Sequence, residues 1–113
     1  WNLRANGLNG PSLATSLNSL RPECVMELDL SENPQLGSIA CEVIATTILS
    51  TNHCNLQELD LCNCNVKSRG VKLIATALHT NASLVRLNLR RNSITANGVE
   101  ELCLALTDRY EKL

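Results

Sequence analysis

Leu84-Val85-Arg86-Leu87-Asn88-Leu89-Arg90-Arg91-Asn92 sets leucines at alternating positions among polar residues and closes on an asparagine. The same register stands at residues 56–64, closing on Cys64, and at residues 25–33, closing on Asn33. Trp1-Asn2-Leu3-Arg4-Ala5-Asn6 is the tail of an earlier copy. The step is 27 residues from Leu3 to Leu30, 31 to Leu61 and 28 to Leu89. A fixed period of this size is the mark of a stacked solenoid, in which each unit covers its apolar face only by packing on its neighbours.

Within each copy the period changes once. Leu28 and Leu30 point one way while Glu27, Asp29 and Ser31 point the other, which is the alternation of a half-buried strand. Leu59 and Leu61 repeat it, as do Leu87 and Leu89, with Leu3 in the partial copy. Downstream the spacing becomes helical: Leu13, Leu17 and Leu20; Cys41, Ile44 and Ile48; Val71, Ile74 and Leu78; Val99, Leu102 and Leu106. About four strands are expected, centred on these leucines, with helices near 11–20, 39–50, 69–80 and 96–107. Pro11 suits a helix first turn. Strands joined by intervening helices must run parallel. The expected fold is therefore an α/β, right-handed solenoid with a concave parallel sheet and convex helices. Its repeats fall at about 1–24, 25–55, 56–83 and 84–113.

The slot held by Asn6, Asn33, Cys64 and Asn92 has a physical task. The chain turns sharply there, and an inward carboxamide satisfies backbone groups that the turn would strand. Cys64 offers one weak donor, so its rung is expected to be weaker. Pro34 lengthens the following turn by a residue, which predicts a local bulge. Gly70 and Gly98 precede apolar helix positions, where a missing side chain lets helix and sheet approach.

The pattern L-x-x-L-x-L-x-x-N/C-x-L, then a glycine, then a helix, resembles the ribonuclease-inhibitor-like class of leucine-rich repeats. The copy from Leu84 through Asn92, Ile94 and Gly98 matches best. The copy from Val25 departs from it by Pro34 and by Ala40 in the glycine's place. The resemblance covers essentially the whole chain and is specific for fold. It implies a cytosolic or nuclear interaction module, of the kind found in ribonuclease inhibitor, the sensor arms of NOD-like receptors, actin regulators, the activator of the Ran GTPase and ciliary scaffolds.

A formal charge of −1 offers no basic field for nucleic acid or an anionic membrane. No apolar run approaches the roughly 20 residues of a membrane span. Six cysteines are present; Cys41 and Cys103 lie in apolar helical stretches and Cys64 in the inward slot, so reduced, mostly buried thiols and a cytoplasmic location are expected. Trp1 lies inside a repeat, and Leu113 falls 29 residues after Leu84, where another repeat would begin. The expectation is a piece of a longer repeat arm, with apolar ends that favour end-to-end self-association.

The outward stripe runs Asn2, Arg4; Glu27, Asp29, Ser31; Glu58, Asp60, Cys62; Arg86, Asn88, Arg90. Parallel strands about 4.8 Å apart make like positions lateral neighbours. The bland reading is a solvated face. The sharper one makes Glu27, Asp29, Glu58, Asp60, Arg86, Asn88 and Arg90 a docking surface for a protein partner with a basic patch, since adjacent carboxylates repel until a cation relieves them. The stripe has no Trp or Tyr anchor. No cofactor, metal or catalytic constellation is expected: Cys62-x-Cys64 splits outward and inward, Cys54 with His53 lacks a second ligand pair, and His53 and His79 read as solvated. Lys67, Arg69 and Lys72 read as a solvated helix start, and the sequon Asn81-Ala82-Ser83 as incidental. The function expected is non-enzymatic protein interaction, as a receptor sensor arm or a cytoskeletal or ciliary scaffold. The alternative is a regulator of a small GTPase acting through the loop Arg90-Arg91-Asn92.

Overall fold

A computed structural model describes residues 1–18, 24–51 and 54–112, and no side chains beyond Arg109. Elements alternate along the chain: α1 (Gly10–Asn18), β1 (Glu27–Asp29), α2 (Gly37–Ile44) continued by a π-helical turn (Ala45–Leu49), β2 (Glu58–Asp60), α3 (Lys67–Leu78), β3 (Arg86–Asn88) and α4 (Ala96–Lys112). The strands form one parallel sheet in the order β1-β2-β3. Leu28 pairs with Leu59 and Leu59 with Leu87, so the inward leucines stack between sheet and helices. Leu28, Leu30, Leu59 and Leu61 are buried, as are Val71, Ile74 and Leu78 of α3. Leu20 and His53 lie outside the described residues.

The first copy supplies a single bridge, Asn2 to Asp29, rather than the fourth strand expected at Leu3. The Leu3 amide still donates to the Asp29 carbonyl (2.8 Å) and the Asp29 amide to that of Trp1 (2.9 Å). Of the three positions paired in each other strand, the sequence holds only two here, because the residue in register with Glu27 would precede Trp1.

The last copy is less covered than its spacing implied. Leu87 and Leu89 are half-buried. Val99 and Leu106 are 51% and 47% exposed, and Cys103 is exposed, contrary to the expectation that they sit in the core. In α4 the residues turned to α3 are Gly98, Leu102 and Ala105. Leu106 lies beside Leu87 and Leu89, past which the described residues place no further layer. Only Cys41 and Cys64 are buried; all six cysteines are free thiols.

The slot side chains do what their chemistry suggests. Asn33 donates through Nδ2 to the carbonyls of Leu3 (2.9 Å), Leu30 (2.8 Å) and Ser31 (3.2 Å), and its Oδ1 accepts from the amides of Asn6 (2.9 Å) and Leu8 (3.1 Å). Asn92 repeats this one layer pair along, donating to Leu61, Leu89 and Arg90 and accepting from the amides of Cys64 and Val66. Cys64 manages a thiol donation to the Leu30 carbonyl at 3.0 Å. Burial pushes this thiol up to about 11, with the backbone hydrogen bond from Asn33 pulling the other way.

The residue before each slot has a left-handed backbone: Ala5 (φ 54°), Glu32 (60°), Asn63 (54°) and Arg91 (59°). The residue after it is left-handed in three copies, at Gly7, Asn65 and Ser93. Proline cannot adopt positive φ. Pro34 therefore forces the longer turn, which closes where the Leu36 amide donates to the Asn33 carbonyl (3.0 Å). Two more extra residues of this repeat go into the π turn, marked by the Ser50 amide reaching the Ala45 carbonyl (3.0 Å), and into the loop before β2.

A Cβ on Gly70 would stand 2.6 Å from Val66 Cγ1 and 2.9 Å from Cys41 Sγ. The glycine thus lets α3 approach α2, a helix–helix contact rather than the helix–sheet approach expected. Asn81 proves structural: its Nδ2 donates to the Leu49 carbonyl (3.1 Å) and its Oδ1 accepts from the amides of Ser83 and Leu84. Its carboxamide is consumed by the return loop, and the residue is buried.

Candidate interaction face

The sheet register brings the expected side chains together. Glu27, Glu58 and Arg86 form one row; Asn2, Asp29, Asp60 and Asn88 form the next. With neighbouring backbone, they line a shallow groove of about 420 Å³ on the concave face. Arg90 stands beside this groove, exposed and outside its lining. Ser31 departs from the expected stripe: it is 5% exposed, its hydroxyl donating to Asp29 Oδ1 at 2.6 Å. Cys62 is half-buried. Trp1, in register with Leu28, also lines one end of the groove and is half exposed.

The second row has a double role that the sequence reading missed. The Asn2 side-chain oxygen accepts from the Arg4 amide (3.1 Å), Asp29 from Ser31 (3.0 Å), Asp60 from Cys62 (2.9 Å) and Asn88 from Arg90 (3.0 Å). Each side chain bonds the amide two residues on and starts the turn that ends its strand. The signal was the recurrence of Asn or Asp one residue before the last leucine of each copy. In the first row Arg86 meets Glu58 at 3.1 Å, with both side chains well exposed, a pair worth at most about 1 kcal/mol. The Glu27 carboxylate makes no hydrogen bond or ion pair among the described residues, while its backbone carbonyl accepts from the Trp1 ammonium at 2.8 Å.

Elsewhere, His79 is not simply solvated. Its Nδ1 lies 2.8 Å from Asp108 Oδ2, tying the end of α3 to α4. Cys54 accepts from Asn81 and Ser83 in the return loop. Among the described residues no three His, Cys, Asp or Glu side chains are grouped to hold a metal ion. None of the described helices is long and apolar enough to cross a membrane.

Two segments, residues 52–75 and 80–103, match the leucine-rich-repeat family model. Each runs through a strand and its turn and into the following helix. This is a leucine-rich-repeat chain. Leucine-rich repeats make it a protein-interaction module, with the α/β layering described above. It is 38% identical over 80 residues, 71% of its length, to the rat NACHT, LRR and PYD domains-containing protein 1a allele 1. It is 34% identical over 94 residues, 83% of its length, to mouse NACHT, LRR and PYD domains-containing protein 14. To human NACHT, LRR and PYD domains-containing protein 5 it is 36% identical over 92 residues, 81% of its length. The chain spans 6%, 9% and 7% of those relatives respectively.

Proposed function

We propose that this chain is one stretch of a longer, receptor-type leucine-rich-repeat arm that captures a protein partner on its concave face in the cytoplasm. In this reading the repeats run as divided above, wound in the right-handed sense usual for strand–helix–strand units. Glu27, Asp29, Glu58 and Asp60 attract a basic patch on the partner, and Arg86, Asn88 and Arg90 bound the acidic field on one side. The role is non-enzymatic: the arm contributes binding and leaves chemistry to others.

One observation carries the reading. Asn2 and Asn88 make the same strand-ending hydrogen bond as Asp29 and Asp60, so the turn needs only a side-chain carbonyl. The two negative charges in the middle of the row are surplus to the fold. They stand beside Glu27 and Glu58, where their mutual repulsion is relieved by a cation brought by another molecule. The likeness to NACHT-containing relatives favours a sensor arm over a scaffold. The GTPase-regulator alternative retains only Arg90 and Arg91, because Asn92 is engaged on both sides by backbone.

The test is Asp29→Asn with Asp60→Asn, which removes charge and keeps the turn, combined with Glu27→Gln and Glu58→Gln. Immobilised wild-type and variant chains are compared for capture from a cell extract, with mass spectrometry of what is retained. Loss of specific partners from this variant, but not from Lys67→Glu/Arg69→Glu/Lys72→Glu on the convex side, is the expected result. The opposite pattern moves the docking surface to the helices.

A further inference from the structure

The concave groove is polarised across its strands. Glu27 and Asp29 stand on β1, Glu58 and Asp60 on β2, and Arg86 with the neutral Asn88 on β3, all in the lining of the groove. The parallel register aligns them in two rows that cross the strands, with a step of about 4.8 Å from one strand to the next. Charge along each row therefore passes from acid on β1 and β2 to base or neutral on β3, over about 9.6 Å. The order depends only on three adjoining strands, so further layers in a longer arm would lengthen the face without altering it.

The array is also preset. The turn holds Oδ1 of Asp29 and of Asp60 through an amide, which fixes each carboxylate and leaves Oδ2 open to a partner. Arg86 meets Glu58 at 3.1 Å, but both side chains are well exposed, so the pair is readily exchanged for a partner's charges.

An occupant must present two bases and then an acid at that step, and its backbone conformation decides whether it can. On one face of an α-helix, positions i+4 and i+7 lie about 6.0 and 10.5 Å beyond position i. Each falls within about 1.2 Å of the next strand in turn, well inside the reach of a lysine side chain. An extended segment sets its same-face residues about 6.7 Å apart, so the third overshoots β3 by about 4 Å. The groove is shallow, which suits the side chains of one helix face laid over it.

We propose that the partner docks through an α-helix lying across β1, β2 and β3. Its residues i and i+4 are basic and face the carboxylates of β1 and β2, and its residue i+7 is acidic and faces Arg86. The same order read in the opposite chain direction fits equally. This rests on the reading of the concave face as the docking surface, and it names the segment that the surface takes. A uniformly basic helix is disfavoured, because its third base meets Arg86.

The probes are synthetic alanine-rich helices, stapled on the far face, each with two lysines and one glutamate. One sets Lys, Lys, Glu at i, i+4 and i+7; the second sets Lys, Glu, Lys at the same positions. A third peptide carries the first order at alternate positions, with prolines that bar a helix. Binding to the intact chain is followed by fluorescence anisotropy at low salt. The first helix should bind about tenfold more tightly than either other peptide, a margin that shrinks as salt is added. Arg86→Glu should erase the margin between the two helices, because the glutamate of the first then meets like charge, while the circular dichroism of the chain is unchanged. Equal binding of the two helices, tighter binding of the extended peptide, or no binding by any of the three overturns the inference. The variant with Glu27→Gln, Asp29→Asn, Glu58→Gln and Asp60→Asn separates this failure from that of the concave-face reading. If the preferred peptide is the wrong one and still weakens in that variant, docking on this face stands and the helix falls. If a bound peptide is indifferent to it, both fall.

Discussion

The slot filled by Asn33, Cys64 and Asn92 shows how much one side chain can decide. Asn33 and Asn92 each serve five backbone groups, and truncation leaves several of them buried and unpaired. Asn33→Ala or Asn92→Ala should each cost about 3 kcal/mol, read from the urea midpoint at constant slope. Cys64→Ala should cost about 1 kcal/mol, because only one short thiol bond is lost. This slot was legible in the sequence because it demands a side chain of particular chemistry. The left-handed residues beside it were not legible: Ala5, Glu32 and Arg91 are ordinary residues, forced to positive φ by the turn. An L-residue there stores about 1 kcal/mol, so Arg91→Asn should raise stability by up to about that amount. The two buried thiols also set a pH limit. Burial pushes Cys41 from its ordinary value near 9 up to about 12 and Cys64 up to about 11. The unfolded chain ionises these thiols first, so the stability they contribute is full below pH 9 and declines as pH rises toward 11 to 12. Denaturation midpoints measured between pH 8 and 11 should fall, and should fall less in Cys64→Ala.

At the scale of elements, the spacing located all four helices, and it missed where they were irregular. Periodicity reports which face is buried; it says nothing about how three surplus residues are absorbed between Leu30 and Leu61. That depended on backbone rules: a proline barred from a left-handed position, and a helix able to widen by one residue. The glycines illustrate the same gap. Gly70 was marked as a close-approach residue, yet its neighbour across the gap is Cys41 of the preceding helix. Alanine there gains helix propensity of about 1 kcal/mol, but must displace Val66 and Cys41. Overpacking of this kind costs about 1–3 kcal/mol, so on balance Gly70→Ala should destabilise the chain by up to about 2 kcal/mol. An unchanged or raised thermal midpoint would mean that the α2–α3 contact yields more easily than its distances indicate.

At the scale of the whole molecule, the stack measures 37 × 31 × 17 Å and its layers differ in cover. Stability in such an array is a sum of repeat and nearest-neighbour terms, so a layer covered on one side holds less than one covered on both. The central leucines Leu59 and Leu61 are buried where Leu87 and Leu89 are half-buried, although the sequence writes the same letters at both sites. Pattern alone could not tell them apart, because cover depends on the neighbouring layer and not on the residue. Amide hydrogen exchange at low protein concentration should therefore be slowest in β2 and α3 and fastest in β3, the turn at Arg90–Asn92 and α4. Uniform protection along the chain would contradict the layer-by-layer account.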